Sequence, residues 1–304
     1  MTDPAPQTST PVSARRVLRW RRLAALLVGV AVSGLVGYWL YLRFAERPRA
    51  LAAITAAGGK YYEPPALQRI ARSVLQMFGG NNQGSVDVLL DGPMFDDAWL
   101  AAQHDLRSLD IEDLALRNTR LTLTAIRRLL TSNQLQHFIA PGMALTDDDA
   151  ALIGAQSHLT HVDLMQTQIS DVGLAAVRPQ RLLFLNVAGT RVTSAALQKA
   201  LVGNNRILVL RVDGRQFTPE LASTLTQSKS LRGITLIGPD VTDAHLKLLE
   251  SMQNVAYFRI EQTNVSEEAI AALRTTRSQP SEVEIAPPAE VFFKWWTDQP
   301  AAAP

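Results

Sequence analysis

Residues 159–174 read LTHVDLMQTQISDVGL and residues 182–197 read LLFLNVAGTRVTSAAL. Laid over one another, both carry apolar residues at offsets 0, 3, 5, 10 and 15 and a threonine at offset 8. Residues 255–270, VAYFRIEQTNVSEEAI, repeat the frame. Leu231, Ile234, Leu236, Val241 and Leu246 follow it too, with Pro239 in the threonine place. A period in the low twenties belongs to stacked units, none of which buries its apolar side alone. The fold expected is therefore a solenoid of stacked strand-and-helix units.

Each unit is legible in physical detail. In Val162-Asp163-Leu164 two apolar residues flank a polar one, so the outer two point inward and the middle one outward, as along a strand. Ser170-Asp171, Thr193-Ser194, Thr218-Pro219, Thr242-Asp243 and Ser266-Glu267 place a hydroxyl at a helix N-cap. In four of the five pairs the residue after it suits a first turn, as an acid or as proline; Ser194 is the exception. Weaker copies are Val88, Leu90, Phe95 and Leu100, then Leu135, Phe138, Ala140 and Leu145, then Ile207, Leu210, Val212 and Phe217. Leu106, Leu109 and Ile111 begin a second unit that carries extra residues around Leu116 to Arg120 before Leu121 and Ile126 resume. Pro280, Val283 and Ile285 read as a closing strand, so the array spans 85–286 with eight units before that strand.

These stretches resemble bacterial leucine-rich-repeat proteins of the GTxVTDxGL type, most closely at Gly189-Thr190-Arg191-Val192-Thr193 and Ile169-Ser170-Asp171-Val172-Gly173-Leu174. The order of basic N-terminus, apolar segment, Ala53 to Gly59 and repeats is similar to membrane-tethered members of that group. The resemblance covers residues 15–286 and departs from the pattern at Arg215, at Pro239 and in the second unit. It implies a curved α/β solenoid, with a parallel β-sheet on the concave face and short helices on the convex face, that acts by binding other macromolecules.

The 304 residues hold 30 Lys+Arg and 28 Asp+Glu, unevenly placed. Residues 1–50 carry eight arginines against Asp3 and Glu46, leaving 22 basic and 26 acidic residues beyond them. A mildly acidic body gives no footprint for nucleic acid. Cysteine is absent, which excludes disulfides, thiolate metal sites and a cysteine nucleophile. Residues 23–42, LAALLVGVAVSGLVGYWLYL, contain no charge and are long enough for a transmembrane helix through the lipid bilayer. Five arginines before it and three after it favour a cytoplasmic N-terminus and an extracytoplasmic repeat domain. A cleaved signal peptide ending near Ala31-Val32-Ser33 is the alternative reading. The domain plan is a disordered basic tail (1–22), the anchor (23–42), a juxtamembrane segment with a capping helix over 66–78 (43–84), the repeats (85–286), and an aromatic cap and tail (287–304). In that last part Val291-Phe292-Phe293-Lys294-Trp295-Trp296 suits either a lid on the last strand or an interface.

The outward strand positions define the surface most suited to a partner. His137, His161, Asp163, Phe184, Asn186, Arg211, Tyr257 and Arg259 are the candidate partner-binding residues on the concave face. In the second unit the outward positions read Ser108, Asp110 and Glu112. His137 and His161 fall on neighbouring rungs with Asp163 beside them, but an outward-facing pair offers a metal no closed cage, so no metal and no cofactor is assigned. Asp147-Asp148-Asp149 reads as a helix start before it reads as a calcium cluster. Asn264-Val265-Ser266 is a formal glycosylation sequon inside a repeat loop. No phosphate-binding loop, dinucleotide fingerprint, metalloprotease motif or nucleophile elbow occurs. The expectation is a non-catalytic, membrane-tethered module that recognises a protein or an envelope polymer such as a glycan. The alternatives are a structural, self-assembling scaffold and a cytoplasm-facing adaptor.

Overall fold

The computed structural model describes residues 30, 34, 47–62, 86–103, 109, 111–132, 135–276 and 283–286. Helix α1 (Arg47–Ala56) leads into a short strand, β1 (Lys60–Tyr62). Strand and helix then alternate: β2 (Val86–Asp91), α2 (Asp97–Ala102), β3 (Ile111–Arg117), α3 (Leu123–Ser132), β4 (His137–Ile139), α4 (Asp147–Gly154). Next come β5 (His161–Asp163), α5 (Asp171–Val177), β6 (Phe184–Asn186), α6 (Ser194–Leu201), β7 (Val209–Asp213) and α7 (Pro219–Thr226). The series ends with β8 (Gly233–Ile237), α8 (Asp243–Glu250), β9 (Tyr257–Glu261), α9 (Glu267–Thr275) and β10 (Val283–Ala286). All ten strands form one sheet in chain order; β1 pairs antiparallel with β2, and every later pair is parallel. One helix intervenes between each parallel pair, so each unit packs on the one before it.

The alternation inside each strand decides the layers. Val162 and Leu164, Leu185 and Val187, Leu210 and Val212 are buried in the main core with helix residues such as Leu174, Leu197 and Leu221. Leu89, Ala115 and Ile139, in register across β2, β3 and β4, form a separate small cluster on the opposite face.

The second unit departs from the sequence reading. Strand β3 begins at Ile111, and its register sets Asp113 beside His137 and Ala115 beside Ile139. Asp113 and Ala115 therefore hold the outward places that the sequence reading assigns to Ser108 and Asp110. Counted from Ile111, the residues Leu114, Leu116, Thr119, Leu121 and Ile126 fall at offsets 3, 5, 8, 10 and 15. The extra residues precede the strand, between Gln103 and Ile111, and do not follow it.

Two local devices shape the units. At offset 7 the chain makes a left-handed turn, at Gly92, Asn118, Gly142, Gln166, Gly189, Gly238 and Gln262. Glycine and asparagine adopt that conformation most readily, which accounts for five of the seven; Gln166 and Gln262 hold it without that preference. At offset 8 the buried hydroxyls of Thr167 and Thr190 donate to the carbonyls of Leu164 and Val187. The expected N-caps are all present: Ser170, Thr193, Thr218 and Ser266 accept backbone N–H bonds, and Thr146 and Thr242 form capping boxes.

Among the described residues no helix is long and apolar enough to cross a membrane. Of the anchor expected over 23–42, only Val30 and Gly34 are described, and both are helical. The capping helix over 66–78 and the aromatic segment 291–296 lie outside the described residues.

Candidate functional site

The pairing of β3 to β9 brings all eight candidate residues onto one face of the sheet in two adjacent rows. The first row runs Asp87, Asp113, His137, His161, Phe184, Val209, Gly233, Tyr257. The second runs Leu89, Ala115, Ile139, Asp163, Asn186, Arg211, Thr235, Arg259. Parallel pairing in register stacks like positions about 4.8 Å apart, so each row is a column of neighbouring positions.

The middle of the first row is a column of rings. His137 and His161 meet edge to face with centroids 4.1 Å apart, and the His161 ring stacks on Phe184 at 6.0 Å and 13°. His137 Nδ1 lies 2.8 Å from Asp113 Oδ2, and His161 Nδ1 lies 2.8 Å from Thr160 Oγ1. Burial, followed by the repulsion of His137, pushes the His161 imidazole down to about 4. Asp113 Oδ1 is buried with no hydrogen-bond partner among the described residues. At the far end the Tyr257 ring lies across Gly233, where an added Cβ would come within 2.1 Å of it.

The second row is a polar network. Asp163 accepts from the Met165 N–H and from Asn186 Nδ2, each at 2.9 Å, and Asn186 Oδ1 accepts from the Ala188 N–H. Burial raises the Asp163 carboxyl above its ordinary range, and Arg211 opposes that rise. Arg211 on β7 reaches past β8 to donate to Glu261 Oε2 on β9 at 2.7 Å, while Arg259 Nε donates to Glu261 Oε1. Glu261 thus holds two arginines at once. Nearby, Asp213 accepts from the Gly189 N–H and from Arg215, which also meets Asp240.

This face is not the open surface that outward-pointing residues lead one to expect. Asn186 is 1 % exposed, Phe184 4 %, Asp163 5 %, and Arg211 and Arg259 7 % each, whereas Tyr257 reaches 37 %. His137 and His161 are half-buried. The eight residues therefore divide into five that form a closed polar and aromatic floor and three whose edges reach solvent.

Three participants stand outside the eight candidates. Asp113 was displaced from its row by the frame of the second unit, although the pattern from Ile111 carries the signal. Glu261 and Asp213 occupy the third outward row and look like ordinary surface acids until the structure turns them onto arginines. No group of three or more His, Cys, Asp or Glu side chains among the described residues is arranged to hold a metal ion. No protein-family model matches the chain, and no curated protein does.

Proposed function

We propose that this chain is a non-catalytic, membrane-tethered leucine-rich-repeat module. In this reading residues 23–42 anchor it and the sheet face carrying the two rows recognises a protein or an envelope glycan. The supporting observation is that the rows vary in chemistry from rung to rung while the inward positions stay uniformly aliphatic or aromatic. Packing demands the second pattern; it does not demand the first. His137, His161 and Tyr257 meet the partner, and the five buried residues hold them in place. The positive flank before residue 23 favours export of the repeat domain.

Photo-crosslinkers placed at Tyr257 and His137 of the full chain, in native envelope membranes, test this reading. A discrete adduct at these positions and none at Val172, on the helix side, supports it. Adducts absent from both, or equal at all three, count against it.

The Arg211–Glu261–Arg259 network favours a second reading, a structural scaffold, because buried ion pairs set shape more readily than they supply a docking surface. A phosphatase active only outside the cytoplasm, fused at the C-terminus, separates the exported readings from a cytoplasmic adaptor.

A further inference from the structure

Helices α5, α6 and α7 end at one edge of the array, where the chain turns into β6, β7 and β8. The three turns, 177–183, 201–208 and 226–233, contain Arg178, Arg181, Arg206, Lys229 and Arg232 and no Asp or Glu. All five basic side chains are exposed. None of them forms an ion pair among the described residues; Arg232 donates only to the carbonyls of Lys229 and Leu231.

The turns are physically continuous. Leu208 N–H donates to the Leu183 carbonyl at 2.7 Å, and Arg232 N–H to the Leu208 carbonyl at 2.8 Å. Asn204 Nδ2 ties the middle turn to the Pro179 carbonyl at 3.2 Å. The edge is therefore one basic strip, bounded on the next unit by Glu250. The helix-start edge is mainly acidic, carrying Asp148, Asp171, Glu220, Asp243, Glu267 and Glu268 against Arg120, Arg191 and Arg215.

Within the strip Val202 is 67 % and Leu208 40 % exposed, two of the few large apolar side chains in the described residues that face solvent. Cations near helix C-termini favour the helix dipole, but the dipole gives no reason for exposed valine and leucine among them. Basic residues interleaved with apolar ones match the chemistry of an anionic lipid surface, where charge attracts and the apolar side chains enter the headgroup layer.

We propose that this edge seats on the surface of an anionic lipid bilayer. A soluble nucleic acid or acidic protein would use the charges and leave Val202 and Leu208 without a role. The proposal draws on the tethered reading only for the nearness of a membrane, and it stands or falls apart from the partner-binding face.

The chain contains no cysteine, so single-cysteine variants report cleanly. Val202→Cys, Leu208→Cys and, as control on the acidic edge, Val172→Cys are made in the full chain and labelled with a polarity-sensitive fluorophore. The chain is reconstituted into vesicles of phosphatidylcholine alone or mixed with phosphatidylglycerol, with a lipid-borne quencher. The proposal predicts quenching at positions 202 and 208 in the mixed vesicles, little in phosphatidylcholine alone, and none at 172. Raising salt from about 0.1 to about 1 M shortens the screening length from about 10 to about 3 Å and should release the edge. Arg181→Glu, Arg206→Glu and Lys229→Glu together should lower the docked-to-undocked ratio at least about a hundredfold, since each basic residue near an anionic leaflet is worth about fivefold. These residues are exposed, so the thermal melt of the triple variant should match the parent.

Equal quenching at all three sites, or the same quenching in both lipids, overturns the proposal. So does an unresponsive edge in mixed vesicles that responds to soluble nucleic acid or to an acidic polypeptide. The vesicles present lipid whether or not residues 23–42 insert, and crosslinking at Tyr257 and His137 reads a different face.

Discussion

Asp163 shows how a single residue changes meaning once its neighbours are known. As an outward residue on a strand it reads as a replaceable surface acid, and Asp163→Ala as mild. In the structure its carboxylate is buried and accepts from the Met165 N–H and the Asn186 amide. Removing it strands both donors, at about 1–3 kcal/mol each. Asp163→Asn keeps one acceptor and should cost less than Asp163→Ala in chemical denaturation. Leu185→Ala, fully buried between neighbouring units, should cost about 2–5 kcal/mol by the same measurement. His161 adds a pH signature. Its folded value of about 4 lies below the ordinary 6.5, so the unfolded chain takes up the proton first. The stability tied to the neutral ring is thus present above pH 6.5 and is lost as pH falls from 6.5 towards 4. In His161→Phe the denaturation midpoint should fall less steeply across that window; an unchanged slope would remove the ring column as its cause.

At the scale of the element, the first-turn acids do more than face a helix dipole. Asp97 accepts from both the N–H and the hydroxyl of Thr122, Asp147 from those of Ser170, Asp171 from those of Thr193, and Asp243 from those of Ser266. Each acid thereby clips its helix to the N-cap of the next unit. The Ser266 N–H and then its hydroxyl hold the Asp243 carboxyl below its usual range, and Thr122 does the same for Asp97. A double-mutant cycle on Asp147 and Ser170 should show coupling of about 1 kcal/mol, fading as the acid is titrated. Helix packing gives a sharper sign. Alanine normally outranks glycine inside a helix by about 1 kcal/mol. At Gly154, the last residue of α4, an added Cβ would come within 1.9 Å of the Ala176 carbonyl oxygen, so Gly154→Ala should destabilise the fold. A raised melting temperature would mean that α4 and α5 are packed less closely than described.

At the scale of the whole molecule, stacked units can unfold piecemeal, because each touches only its neighbours. The contact from Arg211 to Glu261 spans 50 residues and skips one strand, so it links units that the backbone ladder joins only indirectly. Breaking a buried ion pair from one side costs about 3–5 kcal/mol. Glu261→Gln should therefore broaden the thermal transition as well as lower it, seen by calorimetry, whereas exposed Glu268→Gln should do neither. A single sharp transition in Glu261→Gln would assign cooperativity to the core alone.

The alternation of strand and helix, the in-register stacking and the N-caps were all legible in the chain. Each follows from spacing: two residues for a strand face, about 3.6 for a helix face, and one recurring period for the stack. The eight candidate residues fell on one sheet face for the same reason. The second unit went astray because the apolar residues Leu106 and Leu109 offered an earlier start; the pairing of Asp113 with His137 selects the frame that begins at Ile111. What only the tertiary structure decided was the state of that face. Periodicity reports direction, inward or outward, but burial depends on what lies above a side chain, and ion pairs such as Arg211 with Glu261 depend on rotamers reaching across strands. The basic edge escaped the repeat frame for a related reason. Its residues lie outside the apolar frame in three separate turns, and only folding draws Arg181, Arg206 and Lys229 into one strip.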